Sequence, residues 1–136
     1  MGYDILDQDG QHSSFFSSCV QAADYIEIQG FSKEQINIGF PFYGTWEGGR
    51  MEQYAYNAIS EEISPFNNFY TMKKSDTKED RYTYFNSQAI IRDKTAYAYL
   101  KGYGGVMIFS QYCDLPSDDE RSLTKAISDY LQEVTK

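Results

Sequence analysis

The sequence predicts an α/β fold built on three parallel strands joined by crossover helices. Three apolar runs each close on a cluster of Gly, aromatic and polar residues: Met1-Gly2-Tyr3-Asp4, Ile36 to Gly44, and Gly104 to Gln111. A helical pattern follows each run, sooner or later. The middle run is almost continuously apolar, as suits a strand buried on both faces. Folds with this rhythm keep their chemistry at the C-terminal ends of the strands. The three run endings are therefore the candidate functional positions.

The first strand is expected near Met1 to Leu6, followed by a polar turn through Asp7, Asp9 and Gly10. No ligating Glu follows at calcium-loop distance, so a turn is the expected structure there. Ser13 or Ser14 is the expected N-cap of a first helix. Phe16, Val20, Ala23 and Ile26 recur on it at helical spacing, with Cys19 beside them, and Gly30 is the expected stop. The second strand is expected from Ile36 to about Phe42. Residues from about 45 to 86 break the pattern. Met51 to Ile63 reads as a short helix, and Phe69 to Lys73 with Arg81 to Phe85 as an antiparallel hairpin. This stretch reads as an insertion inside a single domain, 1–136.

A second helix is expected from Ser87 to Lys101, ended by Gly102, then a third strand from Gly105 to Ser110. Ser117 and Glu120 form a capping-box pattern that predicts the start of the last helix. Leu123, Ile127, Tyr130, Leu131 and Val134 form its apolar stripe. The order is β-α-β-insertion-α-β-α, with too few strands to close a barrel.

The chain has 136 residues, which points to one domain. A net charge of −8 argues against a nucleic-acid backbone or an anionic membrane as partner and is compatible with neutral ligands. The aromatic content is high, with 13 Tyr, 9 Phe and one Trp. Tyr and Trp suit cores and also suit sugar rings, because each offers a flat apolar face and a polar tip. Cys19 and Cys113 are too distant in sequence for spacing to decide whether they pair. No metal-ligand spacing surrounds them, and His12 is the single histidine, which disfavours a Ser-His or Cys-His hydrolase; no cofactor is expected. Neither a signal peptide nor a membrane span is visible, leaving localisation open, and Met1 stands directly on the first strand, as expected of a piece of a longer protein.

Taken together, the run endings resemble the C-terminal part of a family 18 glycoside hydrolase, the chitinase and endo-N-acetylglucosaminidase family. That family's sixth barrel strand carries Met-x-Tyr-Asp, as in Met1-Gly2-Tyr3-Asp4. Its seventh commonly reads Gly-Ile-Pro-Phe-Tyr-Gly, and here stands Gly39-Phe40-Pro41-Phe42-Tyr43-Gly44. Phe31 to Ile36 resembles the approach to that strand. Tyr84-Phe85-Asn86-Ser87, with Lys94 and Tyr97 on the helix beyond, resembles the segment before the eighth. Gly104-Gly-Val-Met-Ile-Phe109, with Asp114 beyond, resembles Gly-Gly-Val-Met-x-Trp and a following Asp. The resemblance implies a partial (β/α)8 TIM barrel of about three βα units, strands six to eight, with a small α+β insertion after the second of them.

In that family the sugar's own acetamido oxygen attacks the anomeric carbon while a carboxylic acid protonates the leaving oxygen. The resemblance gives Tyr3 the role of holding the acetamido oxygen and Asp4 a place in the same subsite. Phe109 stands where the family usually has a tryptophan under the sugar. Tyr43 and Trp46, with Arg50, follow the second strand and are placed to line a groove. The family's acid lies in an Asp-x-x-Asp-x-Asp-x-Glu run, which these 136 residues lack. The chain is therefore expected to supply no catalytic residue and to be inactive alone. It would contribute the acetamido-binding side of a site for N-acetylglucosamine-containing oligosaccharides. The alternative is a non-catalytic glycan-binding or interaction module. Three strands leave unpaired edges and a bare sheet face. A homo-oligomer, or association with a missing N-terminal barrel portion, is expected to cover them.

Overall fold

The computed structural model describes residues 5–6, 12–13, 16–46, 49–73 and 80–136, with side chains over 16–44, 54–71 and 83–136. At its centre lies a parallel pair, β3 (Asn37–Pro41) and β8 (Gly105–Phe109), in register from Asn37 opposite Gly105 to Pro41 opposite Phe109. Phe42 N donates to Phe109 O at 2.9 Å and carries the ladder one step further. Between these strands runs α3 (Gln88–Lys101), the crossover that a parallel pair requires.

Alternation along the strands separates two faces. Ile36, Ile38, Phe40 and Phe42 face the helices and form the core with Cys19 and Ala23 of α1 (Phe16–Ile28), Ile91 and Ala98 of α3, and Leu123 and Ile127 of α4 (Leu123–Val134). Val106 and Ile108 of β8 pack against the same cluster. Their strand neighbours Met107 and Phe109, pointing the other way, are 37% and 52% exposed. One face of the sheet is thus core and the other is bare on β8.

Two glycines show why the central pair closes so tightly. Gly104 N lies 3.1 Å from Lys33 O and 2.9 Å from Ile36 O, and a Cβ at Gly104 would meet Glu34 O at 2.1 Å. Only a residue without a side chain fits there. Gly102 ends α3 in the left-handed region at φ 74°, with Tyr103 N returning to Ala98 O at 3.0 Å, a Schellman-type stop.

Most of the expected first strand lies outside the described residues, and only its last two can be placed. These two, β1 (Ile5–Leu6), pair antiparallel with β2 (His12–Ser13). Met1 to Asp4, the turn through Asp7 to Gly10, and Ser14 lie outside the described residues, and Ser13 is a strand residue, not a helix cap. On α1 the buried positions are Ser18, Cys19 and Ala23, whereas Phe16 and Ile26 are partly exposed. The small Cys19 and Ala23 enter the core, and the large side chains are left at the flanks.

Between β3 and α3 the chain builds a four-stranded antiparallel sheet in the order β5-β4-β7-β6. Its strands are β4 (Tyr43–Trp46), β5 (Gly49–Ala55), β6 (Phe69–Lys73) and β7 (Asp80–Tyr84). The β6–β7 hairpin matches expectation. Met51 to Ile63 does not form one helix: its first part is β5, and only Tyr56–Ile59 turns into α2. Pairing with β4 overrides the weak local preference.

The last helix also starts later than expected. Ser122, not Ser117, is its N-cap, accepting from Lys125 N at 3.2 Å. The Pro116 to Glu120 stretch is a turn, and the acidic residues there lie outside the helix.

Candidate functional site

The C-terminal ends of β3 and β8 lie side by side and define a rim. The chain leaves β3 through Phe42 and enters β4 at Tyr43, so this tyrosine sits at the corner between the two sheets and is 4% exposed. Its ring meets Phe109 at 6.3 Å between centroids and an interplanar angle of 83°. That edge-to-face contact fixes the Phe109 ring from one side. The remaining half of the ring is open on the bare face of β8.

Beyond Phe109 a cis peptide leads to Ser110 and a 3-10 turn, Gln111–Cys113. Asp114 anchors this turn to α4. Its Oδ1 accepts from Leu115 N at 2.8 Å and Leu123 N at 2.9 Å, and its Oδ2 from Thr124 N at 2.8 Å and Ser122 Oγ at 3.0 Å. The carboxylate thus satisfies amides at the helix N-terminus that would otherwise lack partners. With both oxygens so engaged, Asp114 is a structural cap.

A second anchor comes from α2. Asn57 Nδ2 donates to Tyr112 O at 3.1 Å and to Asp114 O at 3.2 Å, and the Tyr56 hydroxyl donates to Arg121 O at 2.8 Å. Burial, with the nearby Asp114 charge, pushes the Tyr56 phenol up to about 12, so it remains a donor at neutral pH. The segment after β8 is therefore fastened both to the helix that follows it and to a helix of the intervening sheet region.

Behind the rim is a buried polar chain. Lys94 of α3 is 0% exposed and donates from Nζ to Asn86 Oδ1 at 2.6 Å. Asn86 Nδ2 donates in turn to Pro41 O at 3.3 Å, at the end of β3. Burial lowers the Lys94 ammonium to about 8, an effect that Cys19 partly offsets. The same burial raises the Cys19 thiol. Cys19 and Cys113 are both free.

Of the sequence-predicted site residues, the structure brings Tyr43 and Phe109 together. The Trp46 side chain lies outside the described residues; its backbone pairs with Thr83 and with Gly49 beside a β-bulge. Tyr3, Asp4 and the Arg50 side chain also fall outside them. No cluster of His, Cys, Asp and Glu suited to a metal occurs among the described residues. None of their helices is long and apolar enough to cross a membrane.

Sequence reasoning missed the fastening groups Tyr56, Asn57 and Asn86. Asn57 lay inside a stretch read as helix, where nothing pointed to the turn it would hold. Asn86 and Lys94 enter the sequence reading only as parts of a motif. Their eight-residue separation across the start of a helix gave no sign of contact.

The model for glycosyl hydrolases family 18 matches residues 1–114. Solved structures match over 80–98% of the chain. The GH18 chitinase ChiB from the chitin utilization locus of Flavobacterium johnsoniae is 23% identical with a TM-score of 0.72, over 98% of this chain and 41% of that one. A chitinase from Bacteroides thetaiotaomicron is 22% identical with a TM-score of 0.74, over 98% and 44%. A plant class V chitinase mutant from Cycas revoluta, solved in complex with (GlcNAc)3, is 17% identical with a TM-score of 0.60, over 80% and 37%. No curated protein matches the chain. The present chain spans about two-fifths of the length of these structures. Its α/β fold is of the kind found in TIM-barrel chitinases. With five-sixths of its residues matched by the family model, the chain belongs to glycosyl hydrolase family 18.

Proposed function

We propose that the chain is the C-terminal portion of a family 18 barrel, its strands six to eight, and carries the acetamido-binding side of a site for N-acetylglucosamine-containing glycans. The observation that carries this reading is the half-open Phe109 ring at the end of β8, braced edge-on by the buried Tyr43. A fixed aromatic face with open space above it suits the apolar face of a pyranose. In this reading Phe109 floors the subsite, Tyr3 donates to the acetamido oxygen, Asp4 lies in the same subsite, and Trp46 extends the wall begun by Tyr43. Residues 1–136 act as one partial-barrel domain, and the segment from about 45 to 86 is an insertion that braces the rim. Chitooligosaccharide complexes among the structural neighbours favour the ligand class.

Hydrolysis by the family's substrate-assisted route needs a proton donor with a raised pKa. None of the present residues matches that acid, so in the complete enzyme it comes from a further barrel portion. That portion, or a second copy of the chain, would also cover Met107 and the bare face of β8. The same lack of an acid favours a second reading, a glycan-binding or interaction module without activity.

Calorimetric titration with chitopentaose tests the ligand class. Binding that weakens at least tenfold on Tyr3→Phe supports the acetamido grip. Binding that Tyr3→Phe leaves unchanged removes that role, and no binding at all leaves only the interaction-module reading. Light scattering after size exclusion tests the covering of the sheet, because a monodisperse monomer would count against self-association.

A further inference from the structure

We propose that Tyr112 is a second sugar-stacking platform beside the Phe109 subsite, and that Asn57 holds it in position. The inference rests on the glycan reading above and extends it to a residue that reading does not use.

Three observations support it. Tyr112 is 93% exposed, an unusual state for so large an aromatic ring. Its backbone is nevertheless fastened: Tyr112 O accepts from Asn57 Nδ2 at 3.1 Å, Cys113 N donates to Ser110 O at 2.9 Å, and Asp114 N donates to Gln111 O at 3.1 Å. Asp114 then ties the same turn to the start of α4 through three further hydrogen bonds. Finally, the turn begins two residues after Phe109, at the same end of the sheet as the half-open ring. By contrast, the exposed Ile28 and Leu100 lie at the C-terminal ends of α1 and α3, away from the rim.

The physical argument is preorganisation. A ring on a loose loop loses its binding energy to the ordering of that loop, whereas a ring on a fastened turn does not. Tyr adds contact area at the cost of only two side-chain torsions. Its flat face fits the C–H surface of a pyranose, and its hydroxyl can exchange hydrogen bonds with ring substituents. The net charge of −8 disfavours anionic ligands and leaves neutral N-acetylated sugars unopposed. A second aromatic face close in sequence to Phe109 would fit an oligosaccharide better than a monosaccharide.

Calorimetric titration of the whole chain with chitopentaose, together with its Tyr112→Ala, Tyr112→Phe, Asn57→Ala and Tyr112→Ala/Asn57→Ala variants, tests the idea. Circular dichroism of each variant verifies the fold. Tyr112→Ala is expected to weaken binding about fivefold to tenfold, and Tyr112→Phe by less than about twofold. Asn57→Ala is expected to weaken it by about threefold alone and by nothing further in the Tyr112→Ala background, because it acts through the ring it positions. Equal affinity of the wild type and Tyr112→Ala overturns this inference and leaves the Phe109 site standing. A full Asn57→Ala effect in the Tyr112→Ala background overturns the positioning role. Absence of wild-type binding overturns the glycan reading and this extension with it.

Discussion

Replacing Lys94 with methionine probes the buried chain behind the rim. Burial lowers the Lys94 ammonium to about 8 from its ordinary 10.5. Between those values the unfolded chain keeps a proton that the folded chain has released. Unfolding then takes up a proton, so stability rises with pH through this window and is insensitive to Lys94 below it. The full gap corresponds to roughly 3 kcal/mol. Other groups oppose it higher up. The Cys19 thiol is raised from 9.0, and the Tyr56 and Tyr103 phenols are raised from 10.0. Each of them makes the folded state lose stability as pH climbs past its unfolded value. The opposition is smallest from pH 8 to 9, where Lys94 should add about 1 kcal/mol. Urea unfolding at pH 7, 8 and 9, followed by circular dichroism, measures this. The wild type should gain over the interval and Lys94→Met should not. At pH 7 the variant leaves Asn86 Oδ1 without this donor, at a cost of about 1–3 kcal/mol, offset by relief from burying the charge. An unchanged slope in Lys94→Met would refute the assignment of the window to this side chain.

Three further outcomes follow from the geometry. Asp114→Ala removes three hydrogen bonds at the start of α4 and one to Leu115 N, and should lower stability by about 2–4 kcal/mol, read as a drop in the thermal midpoint. Gly104→Ala puts a methyl 2.1 Å from Glu34 O; a loss of more than about 3 kcal/mol, or insoluble protein, is expected, and a variant as stable as the wild type would contradict the close approach. Phe109→Trp, on the open face of β8, should leave stability within about 0.5 kcal/mol while tightening chitopentaose binding through its larger stacking face. Thermal melts and calorimetry report the two quantities separately.

The elements that local chemistry specifies were legible in the sequence. The helix expected from Ser87 to Lys101 and stopped by Gly102 lies where the sequence indicates, as α3. Strands β3 and β8 announce themselves by apolar runs, and the β6–β7 hairpin by alternation around a charged turn. What failed was specified from a distance. β5 exists because β4 lies beside it, and its residues Gly49–Ala55 show no strong preference alone. The start of α4 is set by Asp114, eight residues before Ser122, and no local pattern tells that carboxylate from any other. The α1 stripe misled because the core takes in the small Cys19 and Ala23, while the larger Phe16 and Ile26 stay partly exposed. At the rim, the motif drew attention to Phe109 and Tyr43, and the structure sets them 6.3 Å apart. The side chains that fasten the neighbouring turn, Tyr56 and Asn57, come from a region the sequence reading had placed apart from the site.

Saturation-transfer difference NMR with chitotetraose, on the wild-type chain and on Phe109→Ala, tests the central claim most directly. An acetamido-gripping pocket floored by Phe109 predicts the strongest saturation on the acetamido methyl protons and the ring C–H protons of one sugar, with at least a fivefold loss in the variant. Saturation that is absent in the wild type, or spread evenly and indifferent to Phe109, would contradict it.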